Sequence, residues 1–324
     1  ALGSAMFVGQ LQMQGGVYGR SVLDSCQSVK DRHNDKLAGH SFFSDKEEYL
    51  KFTKRHAAAS FTPGIPGPGK SLDVFAGIDA GSTTLKIVLI DNNGIVVHKW
   101  YGNNSGDTIG VTRKALLELR GFYKEHNVEL NICGVGTTGY GEILCAKAFG
   151  ADFHMVETVS HAAGAVDLVP DVTFILDIGG QDMKAMLMDK GIIRDVYLNE
   201  ACSSGCGSFI EATASTLGIP TSKIAETAFR SHSTASLGAR CTVFMLSSIT
   251  TEQKNGKSVE ELIAGLCRSI VDNLFSKVLR ISDAKKLGKK IVVQGGTFKN
   301  DAILRAVEQH VGRPVYRSLH CGEM

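Results

Sequence analysis

Residues 176–182 read LDIGGQD. The sequence predicts an apolar strand that ends on the acidic side chain of Asp177, followed by a turn on Gly179 and Gly180. Because glycine has no side chain, backbone N–H groups at such a turn can approach a phosphate closely. Asp177 is predicted to help hold Mg²⁺, and Gln181 to orient an attacking water. The alternative for this stretch alone is a glycine-rich bulge.

The stretch that follows, residues 199–218, reads NEACSSGCGSFIEATASTLG. It places Cys202 and Cys206 at the start of a predicted helix, whose positive end would stabilise a thiolate. The phosphate-binding turn and the two thiols are therefore predicted to lie on one strand–hairpin–helix unit. The alternative is that both cysteines are small buried residues of a packed helix start.

The strand–turn–strand pattern occurs twice, at residues 73–101 and 174–198. In the first copy the turn reads DAGSTT (79–84), so Asp79 takes the place that Asp177 has in the second. Within each range the hairpin is followed by a third strand, and helices come after it. This repetition predicts two similar α/β lobes with a ligand between them.

A third turn, QGGTFKN at residues 294–300, follows a predicted buried strand and opens a helix. Backbone exposed by two glycines suits a flat purine or ribose. Each turn alone also fits a tight polar hairpin, but three in this order are more specific than one. The predicted catalytic residues are Asp79, Asp177 and Gln181. The predicted nucleotide contacts are Gly81, Ser82, Thr83, Thr84, Lys86, Gly179, Gly180, Gly295, Gly296 and Asn300.

The bulk composition excludes several classes of protein. The net charge of +2 gives no electrostatic case for nucleic acid. No apolar run is long enough to span a bilayer, and the N-terminus does not have the pattern of a signal peptide. Eight cysteines spread through a chain of 324 residues favour reduced thiols in a cytoplasm over a secreted disulfide framework.

The N-terminal region differs in pattern from the rest. A helix is predicted over residues 44–56 with Ser44 as its N-cap, and the Pro- and Gly-rich residues 62–69 read as a linker. The predicted divisions are an N-terminal appendage and linker over 1–72, a first lobe over 73–170 and a second lobe over 171–324.

The order DAGSTT, DIGGQD, GGTFKN resembles the phosphate-1, phosphate-2 and adenosine pattern of the actin, sugar kinase and heat-shock chaperone superfamily. This resemblance implies a two-lobed, actin-like (ribonuclease H-like) α/β ATPase fold with the nucleotide between the lobes. The NEACSSGCGSFIE stretch resembles the activator ATPases of 2-hydroxyacyl-CoA dehydratases and the ATPase subunits of benzoyl-CoA reductases. The resemblance covers residues 73–318, and residues 14–61 resemble the segment before the second module of long, duplicated activase-like proteins. Since the family continues into a final helix that packs on the first lobe, the chain is expected to be a fragment.

The resemblance also implies an activity. Members of this family are homodimers that share one [4Fe-4S] cluster, and they use ATP, ADP and Mg²⁺. ATP binding and hydrolysis change the angle between two helices that point at the cluster. An electron from reduced ferredoxin or flavodoxin is then passed to an acyl-CoA dehydratase or reductase component.

The cysteines match this family only in part. Cys202 matches one cluster ligand, but Ser160 stands where the second cysteine is expected, and Cys206 is a hypothetical replacement. Cys241 is a further candidate for the cluster. His161 is either an outer hydrogen-bond donor to the cluster or a satisfied helix histidine. The remaining cysteines singled out as core residues are Cys133, Cys145 and Cys267.

Two other functions compete with the activator. One is a small-molecule kinase on the same scaffold, which would need a general-base aspartate that no motif here supplies. The other is an inactive nucleotide-binding module of a larger protein.

Overall fold

Two mixed sheets form the framework of the part of the chain that the structure describes. The computed structural model describes residues 40–57, 61–199, 206–238, 242–281 and 283–323. Each sheet has five strands, and both are built on the same plan.

The first sheet has the strand order β3-β2-β1-β4-β5. Its strands are β1 (Ser71–Ala80), β2 (Thr84–Ile90), β3 (Val96–Asn103), β4 (Glu129–Thr138) and β5 (Phe153–His154). The first three form an antiparallel meander, whereas β4 pairs in parallel with β1 and β5 in parallel with β4.

The second sheet repeats this arrangement in the order β10-β9-β6-β7-β8. Its strands are β6 (Phe174–Ile178), β7 (Met183–Asp189), β8 (Ile192–Asn199), β9 (Ile291–Gln294) and β10 (Tyr316–Arg317). Again the first three are antiparallel and the last two are parallel additions. The predicted repeat is therefore confirmed at the level of strand pairing.

The helices pack on these sheets. They are α1 (Lys46–Arg55), α2 (Thr108–Glu125), α3 (Glu142–Phe149), α4 (Glu157–Leu168), α5 (Gly207–Thr216), α6 (Ile224–Phe229), α7 (Thr242–Lys254), α8 (Val259–Asn273) and α9 (Asp301–Val311). In α2 the buried residues recur every three or four positions and face the first sheet. Helix α8 begins with a capping box, and most of its residues are buried beside the second sheet. Among the described helices, none is long and apolar enough to cross a membrane.

Side-chain caps fix where two of the helices begin. Helix α2 starts at Thr108, because the Asp107 side chain accepts from Gly110 N and caps the helix there. The predicted N-cap Ser44 lies one residue too early, since Asp45 accepts from Glu48 N. Helix α7 and strand β5 had not been predicted. The Thr, Val and Ile residues of α7 are β-branched, which weakens its helix signal.

Residues 40–56, predicted as part of an appendage, pack against the helices of the second sheet. Phe42 and Phe52 are each only 1% exposed and belong to the same core cluster as α8 and α9. Arg268 of α8 donates to the carbonyl oxygens of His40 and Ser41 at 2.8 and 2.9 Å. Burial of these aromatic rings, together with the arginine hydrogen bonds, attaches the segment firmly.

The predicted linker is attached to the other sheet. Gly64 N donates to Val97 O on β3 at 2.7 Å, and Gly69 N donates to Asn127 O after α2 at 2.7 Å. The chain before β1 therefore contacts the second sheet through residues 40–56 and the first sheet through residues 61–70.

Candidate functional site

The two acidic turns have the same local geometry. Gly81 N donates to Thr84 O, and Gly179 N donates to Asp182 O, each at 3.0 Å. A Cβ atom at Gly81 would lie 2.9 Å from Thr84 O, and one at Gly179 would lie 2.6 Å from Asp182 Oδ1. The first turn therefore needs glycine, because the clash is with backbone, whereas at Gly179 the Asp182 side chain could move aside.

These turns face each other across a cleft of about 570 Å³. The predicted residues that line it are Asp79, Gly81, Ser82, Thr83, Thr84, Lys86, Asp177, Gly179, Gly180, Gln181, Gly295 and Gly296. The lining also includes Tyr101, Tyr140, Glu157, His161, Asp182, Ser208, Glu211 and Gly322, which the sequence had not assigned to nucleotide binding. The volume is in the range of cofactor-binding sites. The structure thus brings together residues that were predicted from three separate turns.

Asn300 is the exception among the predicted contacts. Within the described chain it is not part of the cleft lining, and its Oδ1 accepts from Ala302 N at 2.9 Å. The side chain is the N-cap of α9. The side chain that was predicted to contact the nucleotide serves here to begin the helix.

The third turn closes against the second aspartate. Gly295 has φ +94°, and a Cβ there would lie 2.3 Å from Ile178 O and 2.7 Å from Asp177 Oδ1. Both the backbone conformation and the space require glycine at this position. By contrast, a Cβ at Gly296 would meet nothing within 4 Å among the atoms of the described chain.

We expect Gly295→Ala to destabilise the protein by at least about 1–3 kcal/mol, because the left-handed backbone is strained and the added methyl meets backbone. Urea unfolding of this variant, with Gly296→Ala as the matched control, checks the prediction. Equal unfolding midpoints for the two variants would contradict it.

In the first turn, Asp79 is neutralised by a lysine. Lys86 Nζ lies 2.5 Å from Asp79 Oδ2, and both side chains are largely buried. Burial alone lowers the pKa of Lys86, but the attraction of Asp79, Asp177 and Glu157 outweighs it, so the pKa lies above its ordinary value. Asp79 Oδ1 is buried without a hydrogen-bond partner among the described residues. That oxygen is available to a cation in the cleft.

In the second turn, Asp177 contacts a histidine of α4, a helix that packs on the same sheet. His161 Nδ1, on α4, lies 3.2 Å from Asp177 Oδ2. Burial raises the pKa of Asp177, but the nearby His161, Lys184 and Lys86 lower it by a larger amount. The pKa of Asp177 therefore lies below its usual range. Asp177 is therefore a carboxylate, stabilised by the positive groups around it.

Two further charged residues were missed in the sequence. Glu157 Oε1, at the start of α4, lies 3.1 Å from Lys184 Nζ and 3.6 Å from His161 Nε2. Lys184 also pairs with Asp182 in its own turn. The available signal was the spacing: Lys86 follows Asp79 by the same number of residues as Lys184 follows Asp177.

The second acidic turn is bonded directly to the start of α5, whose N-cap residue is Cys206. Gly207 N donates to Gly179 O at 3.0 Å, and Ser208 N donates to Gly180 O at 2.9 Å. Thr297 of the third turn also donates to Gly179 O, at 3.0 Å. The glycine turn, the third turn and the first turn of α5 are therefore linked by direct hydrogen bonds.

The cysteines divide into several groups. Cys202 and Cys241 lie outside the described residues. Cys206 is the N-cap residue of α5 and is fully buried in the core beside the second sheet. Within the described ranges, no three His, Cys, Asp or Glu side chains form a group that could hold a metal. Ser160, at the expected second ligand position, donates to Thr138 Oγ1 at 3.1 Å.

Of the three cysteines predicted to be core, two are. Cys145 and Cys267 are fully buried, and burial raises the pKa of the Cys267 thiol to about 12. The prediction for Cys133 was wrong, since this residue is exposed on β4. Phe75 on β1, which lines the same surface cavity, is also exposed, at 42%, because that face of the first sheet is uncovered in the described structure.

The paired sheets and the acid-lined cleft between them define an actin-like ATPase fold, and solved structures agree. The 2-hydroxyglutaryl-CoA dehydratase component A of Acidaminococcus fermentans superposes with a TM-score of 0.67 at 26% identity, covering 77% of this chain and 93% of that one. The activator of 2-hydroxyisocaproyl-CoA dehydratase from Clostridium difficile with bound ADPNP gives 0.66 at 26% identity, with the same coverage.

The chain belongs to the BadF/BadG/BcrA/BcrD ATPase family, whose model matches residues 76–321. Among its relatives is the activator of lactoyl-CoA dehydratase from Anaerotignum propionicum, which is 34% identical over 71% of this chain and 86% of that protein. The (R)-2-hydroxyglutaryl-CoA dehydratase activating ATPase of A. fermentans is 30% identical over 73% and 87%. Residues 40–75, which include the packed N-terminal segment, lie before the part that the family model matches.

Proposed function

We propose that this ATPase is an activator that transfers a low-potential electron to an acyl-CoA dehydratase or reductase partner. The observation that carries the proposal is the pair of backbone hydrogen bonds from Gly207 and Ser208 to the glycines of the phosphate turn. They connect the site where ATP would be hydrolysed to the helix that follows Cys202 and Cys206. Hydrolysis at the turn would then alter the position of the start of α5.

The proposed nucleotide site uses both lobes, taken as residues 73–170 and 171–324. Asp79 and Asp177 are the proposed holders of Mg²⁺, and the free Oδ1 of Asp79 fits an oxygen-seeking cation. The metal would neutralise charge on the phosphates. Gln181, exposed at the mouth of the turn, is proposed to orient the attacking water.

The kind of partner follows from the names of the relatives. Three are activators of acyl-CoA dehydratases, and a fourth, 26% identical, is a benzoyl-CoA reductase subunit of Thauera aromatica. We extend this partner class to the present chain. A homodimer and a reduced ferredoxin or flavodoxin as electron donor belong to the same proposal.

The [4Fe-4S] cluster depends on Cys202. A cluster of this kind takes four thiolate ligands. The described residues do not assemble such a set, and Cys206 is buried in apolar core rather than facing outward. The proposed cluster therefore uses Cys202 from each chain of a dimer, and its other ligands lie outside the residues described or require Cys206 to leave the core.

The test is to purify the protein anaerobically and to measure iron, sulfide, visible absorbance and molecular mass, together with Mg²⁺-dependent ADP release. We expect coloured, dimeric protein that releases ADP without any acceptor substrate. Cys202→Ala should lose the colour, whereas Cys133→Ser, an exposed cysteine on β4, should keep it.

Two results would each contradict a different part of the proposal. Colourless protein without iron would remove the cluster and leave the ATPase. ADP release that requires a sugar or another acceptor would favour a kinase instead.

A further inference from the structure

The two acidic hairpins provide an internal comparison. In the first, Asp79 lies opposite Lys86 in the strand register, and in the second, Asp177 lies opposite Lys184. Side chains directly opposite each other on antiparallel strands have Cβ atoms about 5 Å apart, within reach of a lysine. Because the two lysines have the same register, both hairpins are expected to form an ion pair between the aspartate and the opposite lysine.

The observed pairs differ. Lys86 Nζ lies 2.5 Å from Asp79 across its hairpin. Lys184 and Asp177, both described, form no ion pair with each other. Lys184 instead contacts Asp182 and, at 3.1 Å, Glu157 of α4.

The choice of Glu157 and Asp182 over Asp177 as partners of Lys184 is energetically significant, because Lys184 and Asp177 are buried. Lys184 is 4% exposed and Asp177 is 3% exposed, so neither can rely on water to screen its charge. A buried ammonium moves toward the carboxylates within its reach, and opposite charges attract more strongly here than at a surface. Glu157 supplies a carboxylate that draws Lys184 toward α4.

We propose that Glu157 is a positioning residue that keeps Lys184 away from Asp177, and thereby keeps Asp177 available to a divalent cation. An ammonium and Mg²⁺ compete for the same carboxylate lone pairs. Asp79 is already paired with Lys86. An ion pair between Lys184 and Asp177 would therefore leave both aspartates of the cleft neutralised. The inference rests on the proposed nucleotide site.

The measurement is the affinity for a fluorescent ADP analogue with and without Mg²⁺. The ratio of the two affinities isolates the metal, since a change in attraction for phosphate alters both arms alike. We expect Glu157→Gln to lower this ratio by about tenfold, because Lys184 then turns to Asp177. Glu142→Gln makes the same change at the first residue of α3, outside the cleft, and should leave the ratio unchanged.

Removal of the lysine charge should rescue the variant. The double variant Glu157→Gln/Lys184→Met is expected to recover the parental ratio to within about threefold, a result that a merely structural role of Glu157 would not give. Lys184→Met alone should also keep the ratio, even if its affinity for the nucleotide falls in both arms. This single variant provides a test even if Glu157→Gln fails to fold.

Three outcomes would overturn the inference. The affinity ratio could be unchanged in Glu157→Gln, it could be as low in the double variant as in Glu157→Gln, or it could fall in Lys184→Met alone. A parental protein that binds ADP equally well with and without Mg²⁺ would instead overturn the proposed Mg²⁺ site itself.

Discussion

Replacing Asp177 with asparagine is expected to reduce the rate of ATP hydrolysis by about 100- to 1,000-fold. Asparagine has nearly the same shape, so the strand and the glycine turn should remain. The lost charge, however, removes the attraction for the proposed Mg²⁺ at a side chain that is 3% exposed and poorly screened by water. The measurement is ADP release at saturating ATP and Mg²⁺.

The control for this variant is Asp171→Asn. Asp171 pairs with Lys290 on the surface, where its side chain is 68% exposed, and should not affect the cleft. Circular dichroism establishes that both variants are folded. An Asp177→Asn protein whose turnover stays within about threefold of the parental value would show that this aspartate does not serve hydrolysis.

Phe42→Ala is expected to lower the free energy of unfolding by about 3–5 kcal/mol. Phe42 is 1% exposed, its ring packs edge-on against Phe229 at 5.4 Å, and the guanidinium carbon of Arg268 lies 4.6 Å from its centroid. The substitution leaves a cavity between these groups and weakens the attachment of residues 40–56. Urea unfolding monitored by fluorescence or circular dichroism gives the value.

Phe244→Ala is the matched control, since Phe244 is 61% exposed on α7 and its loss should change stability by no more than about 0.5 kcal/mol. If Phe42→Ala costs less than about 1 kcal/mol, the segment does not contribute to the folded core in solution.

The parts of the fold that could be predicted from the sequence are those set by local chemistry. The turns around Gly81 and Gly179 were recognisable because an apolar strand, an acidic residue and glycine follow one another directly. Their repetition correctly indicated two matching sheets, and residues from three turns do line one cleft. Cys145 and Cys267 were recognisable as core from the apolar periodicity around them.

What could not be predicted depends on contacts between distant parts of the chain. Glu157 reads as an ordinary first-turn acid of a helix until the fold places it beside Lys184. Cys133 lies in an apolar strand, yet the face of that strand is uncovered. An asparagine at position 300 suits a nucleotide contact as well as it suits a helix cap, and the sequence does not distinguish the two uses.

The position of the N-terminal segment could not be predicted for a similar reason. The prolines and glycines of residues 62–69 correctly indicated that no helix or central strand continues there. They gave no information on where residues 40–56 lie. Only the fold shows that Arg268 and Arg305, far along the chain, bind the carbonyl oxygens of residues 40–42.

That double attachment limits how far the cleft can open. His56, whose carbonyl oxygen accepts from Arg317, is held at the second sheet, while the ring of Phe61 lies 5.3 Å from Lys99 Nζ on the first. The chain between Ala57 and Phe61 cannot extend beyond about 14 Å. As long as both attachments hold, this edge of the molecule acts as a tether of fixed maximum length. We expect this tether to limit how far the two sheets can move apart at that edge.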